Sequence, residues 1–305
     1  MTYDDRSVKP MSASLMRARI ATRVLAGMYE EAPALLTSAV RLSVELPGAT
    51  RPSGPPFPFT FAVSPAWCSG LEGARLVGTG KLDIAWINPS IITTMAHLGK
   101  GPFRRPYPLR ALAIFPSWDR LVVAVAGRLG IRSMDELIKK RPALNASVAT
   151  NDCVDFAIAA MLKAHGLKLD SWGDLAAKHG FVFLPFSKKA LAKLERYGFR
   201  RAPLGGGRLQ GNFDPATEVI DYSGWPIVTH ENFPAELAYH FVAALENIRE
   251  EIPYDAPEVP PMSSFCRSTE EGPLDIPLHP GAKRYYREKG YLRWKAESVP
   301  FIGLS

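Results

Sequence analysis

The sequence predicts an α/β protein built on mostly parallel sheets flanked by helices. Three observations carry this expectation. Short apolar runs at residues 82–87, 109–115 and 145–149 have strand length and are bounded by Gly, Pro, Asn or Ser. Between them lie longer segments with apolar residues three and four apart, the spacing of one helix face. The two kinds alternate along the chain, as parallel strands joined by crossover helices require.

The elements follow in order. Residues 1–12 read as a polar arm, and 14–45 as two helices broken near Pro33. Residues 47–58 hold five prolines and two glycines and form a loop. A strand at 59–63 leads through a turn, 64–70, into a helix at 71–77 that ends at Gly78-Thr79-Gly80. The strand 82–87 stops at Asn88-Pro89, and Ser90 is placed to cap a helix over 91–98. A basic loop, 100–108, precedes the strand 109–115; residues 117–120 interrupt it, and 121–126 resume it. Ser133 with Glu136 three residues on is a capping box. A strand at 145–149 and the cap-forming Thr150-Asn151-Asp152 introduce a helix at 153–165, closed by Gly166. Then come a strand at 181–186, a basic helix at 187–197 closed by Gly198, strands at 218–222 and 227–229, and a helix at 235–248 after Pro234. The last helix, 281–288, closes at Gly290.

Composition narrows the function classes. At 305 residues the chain has room for two domains, and 47% hydrophobic with 22% charged residues is a globular composition. No apolar run reaches the roughly 18–20 residues of a membrane span. The first residues contain acids and no apolar core followed by a small-residue cleavage site, so the expectation for the chain as written is cytoplasmic. Cys68, Cys153 and Cys266 are far apart and form no CxxC pair, which argues against a zinc site or a disulfide framework. The net charge is +7, and part of it is local: Lys188, Lys189, Lys193, Arg196, Arg200, Arg201 and Arg208. A solvated helix face is the expected home of that cluster. No nucleic-acid-binding signature accompanies it, so its field is read as attraction for a small organic anion.

Catalytic motifs are absent. Gly205-Gly206-Gly207 lacks the Lys-Ser/Thr of a phosphate-binding loop, and there is no GxSxG elbow and no HExxH. The six histidines are scattered; His279, in Leu-His-Pro-Gly, is expected to brace the final helix. No metal and no cofactor are expected.

Four stretches carry a family resemblance: LEGARLVGTGKLDIAWINPS, LRALAIFPSWDRLVVAVAGRLGIRSMDELIKKRPALNASVAT, TEVIDYSGWPIVTHENFPAELAYHFVAALENI and PLDIPLHPGAKRYYREKGYL. In kind and order they resemble the TAXI family of solute-binding subunits of tripartite (TRAP) transporters, which have the periplasmic-binding-protein-like type II fold. The resemblance spans roughly residues 59–294. It departs from the family in two places: no strand with a Gly-rich turn precedes residue 14, and only a dozen residues separate helix from strand between 169 and 181.

The resemblance implies two lobes, residues 1–115 with 226–305 and residues 116–225, joined by crossings near 114–121 and 222–227. Ligand lies in the cleft between such lobes, at the ends of strands and the N-termini of helices. The candidate ligand-binding residues are therefore Ser64, Cys68, Ser69, Asn88, Ser90, Trp118, Arg120, Thr150, Asn151, Asp152, Asp221, Tyr222 and Trp225. Arg120 is suited to grip a carboxylate through two parallel hydrogen bonds, and Trp118 to cover an apolar face or ring. The implied function is non-catalytic binding of a small organic anion, an amino acid or carboxylate. The implied partners are the membrane components of a tripartite transporter, and an oligomer is open. The resembled family is periplasmic. Two alternatives stand beside this one. The first is a cytoplasmic enzyme on the same fold, decarboxylase-like or acting on a cofactor precursor and dependent on Arg120 or His279. The second is a repurposed binding module.

Overall fold

The computed structural model describes residues 20, 23, 24, 27, 28, 61–63, 70–140, 157, 160, 161, 163, 164, 181–205, 216–252, 254 and 258–292. The expected strand at 145–149 lies outside these residues, as do most of the helices at 14–45 and 153–165.

The four-stranded sheet comes first in the chain. Strand β1 (Phe61–Val63) leads to helix α1 (Gly70–Gly78), β2 (Ile84–Trp86), α2 (Ser90–Leu98) and β3 (Leu109–Phe115). The chain then leaves for β4 (Arg120–Leu121), β5 (Val123–Ala126), α3 (Met134–Lys140), β6 (Phe181–Leu184), α4 (Lys188–Tyr197), β7 (Arg201–Pro203) and β8 (Glu218–Asp221). It returns through β9 (Trp225–His230), α5 (Ala235–Asn247) and α6 (Pro280–Glu288). Among the described residues the strands form three sheets, ordered β1-β2-β9-β3, β4-β8-β7 and β5-β6. The strand β7 was not anticipated from sequence.

The expected alternation of strand and helix holds, but the expectation of mostly parallel pairing does not. Among the described ladders only β1/β2 is parallel; β2/β9, β3/β9, β4/β8, β7/β8 and β5/β6 are antiparallel. The reason is the return of the chain. No helix separates β8 from β9, so β9 comes back beside β3 against its direction and wedges between β2 and β3.

Both faces of the four-stranded sheet are buried, which is why its strands read as near-continuous apolar runs. Ile84, Trp86, Leu112 and Phe115 join Phe241, Leu245, Phe265 and Tyr286 in one apolar cluster beneath α5 and α6. Ala85, Ile87, Leu109 and Ile114 join a second cluster with Ile91, Ile92 and Met95 of α2. That second cluster continues into Leu191 and Leu194 of α4, Val219 and Ile220 of β8, and Tyr222. A small third cluster packs Met134 and Leu137 of α3 on Val125 and Leu184.

Caps fall where the sequence placed most of them. The Ser187 hydroxyl accepts the Ala190 N–H at 3.2 Å, and Gly198 closes α4 at φ 101°. Ser133 accepts the Glu136 N–H at 3.1 Å, while the Glu136 carboxylate accepts the Arg132 N–H at 3.2 Å. His279 caps α6, its Nδ1 accepting the Gly281 N–H at 3.2 Å. Burial lowers the His279 pKa, so the neutral ring that such a cap needs is favoured. Ser90 is the exception: it is the first residue of α2, and Pro89, which has no capping side chain, occupies the cap.

Asp83, in the turn before β2, gives a pH test. Burial pushes its carboxyl up to about 6 from an ordinary 3.8. The fold thus favours the protonated acid, a contribution present below the unfolded value and lost as pH rises through about 6. Asp83→Asn is expected to stabilise the protein at about pH 8 and to change nothing near pH 3, as read by urea unfolding at both values.

Candidate functional site

Two crossings join the sheets, and they run side by side as one hydrogen-bonded ribbon. At one end Phe115 pairs with Trp225, at the other Arg120 with Asp221. Between these pairs, Gly224 N–H donates to Ser117 O at 3.1 Å and Tyr222 N–H to Asp119 O at 3.0 Å.

Asp221 lies at the Arg120 end of the ribbon, buried, with a guanidinium on each carboxylate oxygen. Arg120 Nη1 donates to Oδ1 at 3.0 Å, and Arg200 Nε to Oδ2 at 3.1 Å. The Ser223 N–H adds a third bond to Oδ1 at 2.9 Å. The Arg120 side chain is 1% exposed and fully engaged. It also donates to Ser223 Oγ at 2.6 Å, Asp119 O at 3.1 Å, Pro203 O at 3.1 Å and Glu270 at 3.1 Å. Its guanidinium carbon stands 4.7 Å from the Trp118 ring centroid, a cation–π contact. Arg200 extends further, to Ser90 Oγ at 2.7 Å and to the Asp275 carboxylate. Burial lowers the Arg200 pKa, and Asp221 opposes that shift.

Ser90 does work the sequence did not suggest. Its hydroxyl donates to Ser223 O at 2.5 Å and its N–H to Gly224 O at 2.8 Å. The first N–H of α2, which an anion would otherwise be offered, is thus taken by the second crossing. Trp225 Nε1 donates to Asp119 at 3.0 Å, and the same carboxylate oxygen accepts the Ser117 hydroxyl at 2.5 Å. Tyr222 is buried in the second apolar cluster. Asn88 precedes a cis proline, and its carbonyl would lie 3.1 Å from a Cβ on Gly70.

The structure therefore gathers Asn88, Ser90, Trp118, Arg120, Asp221, Tyr222 and Trp225 at or beside one ribbon. Ser64, Cys68, Ser69, Thr150, Asn151 and Asp152 lie outside the described residues. Sequence reasoning missed Ser117, Asp119, Arg200, Ser223, Glu270 and Asp275. Arg200 was absorbed into the basic cluster, which the structure splits. Lys188, Lys189 and Arg196 stay exposed; Arg201 pairs with Glu195 and Glu218; Arg200 turns inward. Lys193 and Arg196, with Lys163, Ala164 and Tyr197, line a shallow cavity of about 330 Å³. Lys193 Nζ donates there to Ala164 O at 3.0 Å.

Other chemistry finds little purchase. Burial pushes the Cys266 thiol up to about 12, so it is not a thiolate near neutral pH. Among the described residues no group of three or more His, Cys, Asp or Glu is arranged to hold a metal ion. No described helix is long and apolar enough to cross a membrane.

The family model described as "NMT1-like family" matches residues 119–290, more than half of the chain. No curated protein matches. Among solved structures, the crystal structure of the periplasmic aliphatic sulphonate binding protein SsuA from Escherichia coli is similar at 12% identity, covering 77% of this chain and 72% of that one, with a TM-score of 0.28.

Proposed function

The chain belongs to the NMT1-like family, and from that premise we propose that it binds a small organic anion, an amino acid or carboxylate, between two lobes. Lobe one comprises residues 1–115 and 226–305; lobe two comprises 116–225. The observation that carries this reading is the ribbon itself. Two short crossings between otherwise separate sheets are what a hinge needs, because a few residues then absorb the dihedral change of closure.

Ser90, Arg120, Asp221 and Trp225 are committed to one another and to the backbone, so they shape the hinge. By their place beside the ribbon, Asn88 and Trp118 are proposed to meet the solute, together with Ser64, Cys68, Ser69, Thr150, Asn151 and Asp152. The resemblance to TAXI subunits supports the membrane components of a tripartite transporter as partners. An enzymatic reading built on Arg120 and His279 has less support. His279 spends Nδ1 on capping α6 beside the start of β3, and Arg120 lies beyond the other end of that strand.

Isothermal calorimetry against amino acids and mono- and dicarboxylates tests the reading. A saturable, stoichiometric heat from at least one of them is expected, with unchanged ligand recovered afterwards. No heat and no thermal shift across the panel would overturn it, and consumption of the ligand would favour the enzyme.

A further inference from the structure

A third segment is built into the hinge. Residues 268–275 fold back on themselves, with Thr269 N–H donating to Gly272 O at 3.1 Å and Gly272 N–H to Thr269 Oγ1 at 2.9 Å. This turn rests on both crossings at once. Ser117 N–H donates to Glu271 O at 2.8 Å, and a Cβ on Gly224 would meet Pro273 at 3.1 Å and Gly272 at 3.2 Å. Its acids face the two hinge arginines: Glu270 pairs with Arg120, and Asp275 with Arg200. Asp275 also accepts the Thr94 hydroxyl of α2 at 2.9 Å, so a single carboxylate ties α2 to a residue on the far side of the ribbon.

The two lobes touch elsewhere as well. A Cβ on Gly198, just past α4, would lie 3.2 Å from Met95 Cγ and 3.4 Å from Lys100 Cβ. The second apolar cluster runs unbroken from α2 into α4 and β8. The lobes are therefore packed together on the α2–α4 side.

We propose that residues 270–275 are an ionic strap that, through Arg200 and Arg120, ties the two lobes together across the ribbon. Arg200 is its positioning residue, reaching Asp221 on its own lobe and Ser90 and Asp275 on the other. With the α2–α4 side packed and the strap across the ribbon, opening occurs by release of the strap. Solute affinity then depends on how often the strap lets go. The inference rests on the two-lobed reading but not on what solute is bound.

The test uses the full chain without ligand, so it is independent of whether any solute binds. Spin labels carried by non-natural amino acids at exposed Lys81 and Lys188 report the interlobe distance by double electron–electron resonance. Glu270→Gln with Asp275→Asn is expected to raise the ratio of long to short distances about threefold to tenfold, the scale of two partly exposed ion pairs. Glu72→Gln on α1 is the control and is expected to leave the distribution unchanged. Wild-type protein in about 1 M salt, where charges more than a few ångströms apart are screened, is expected to move in the same direction. An unchanged distribution in the folded double variant overturns the proposal. Should that variant fail to fold, an unchanged wild-type distribution in high salt overturns it instead.

Discussion

Asp221→Asn is expected to cost about 3–5 kcal/mol of stability, the range for removing one partner of a buried ion pair. The carboxylate is the shared counter-ion of Arg120 and Arg200 and also receives the Ser223 N–H. Asparagine keeps the shape but offers a neutral oxygen to one guanidinium and an amide nitrogen to the other. Arg120 has almost no exposure through which water might compensate. Each arginine keeps one further acid, Glu270 for Arg120 and Asp275 for Arg200, but Arg200 is about a quarter exposed to water, so the loss falls mainly on Arg120. Urea unfolding of the single variants and of Asp221→Asn combined with Arg200→Met separates the pair. A coupling of about 0.5–3 kcal/mol is expected for groups in one network. A change within 0.5 kcal/mol for Asp221→Asn, the range of ordinary surface substitutions, would show that the ribbon is not braced by this carboxylate.

Gly281→Ala is expected to be of similar size, about 3 kcal/mol or more, for a steric reason. A Cβ there would lie 1.9 Å from the Ala235 carbonyl oxygen and 2.8 Å from its carbon. Both belong to the first turn of α5, backbone that cannot rotate away. Relief requires α5 and α6 to separate, and these helices share the cluster around Phe241 and Tyr286. Overpacking a core usually costs about 1–3 kcal/mol, and a backbone collision stands at the upper end of that range or beyond it. Gly80→Ala is the comparison. Gly80 has φ 68° but nothing within 4 Å of its Cβ position, so only the left-handed strain of about 1–2 kcal/mol applies. Thermal unfolding should rank Gly281→Ala clearly below Gly80→Ala. Equal melting temperatures would mean that the α5–α6 contact is looser than its geometry.

Both expected losses arise at places the sequence describes unequally. Leu-His-Pro-Gly announces a helix start, and His279 and Pro280 perform as that pattern suggests. The same four letters do not say that Gly281 meets α5. Asp221 and Arg120 stand out in the sequence because the family resemblance implies crossings beside those strand ends. Their assigned work differed. Arg120 was read as free to grip a ligand, yet a carboxylate a hundred residues away already holds it. Ser90 was read as a cap because Ser before an apolar run usually is one. Its hydroxyl instead reaches Ser223 on the returning strand. Arg200 had no distinguishing mark among its basic neighbours, and the acids that select it lie in another segment.

The sequence by itself determined the order of strands and helices and most of their caps and breaks. These depend on residue periodicity and on side chains within one turn of each other. The tertiary structure alone decided that β9 runs antiparallel between β2 and β3, that Arg200 turns into the ribbon, and that Glu270 and Asp275 pair with its arginines. Each of these is a pairing between groups tens to hundreds of residues apart. Its energy exists only once the chain has brought them together, so no local pattern records it.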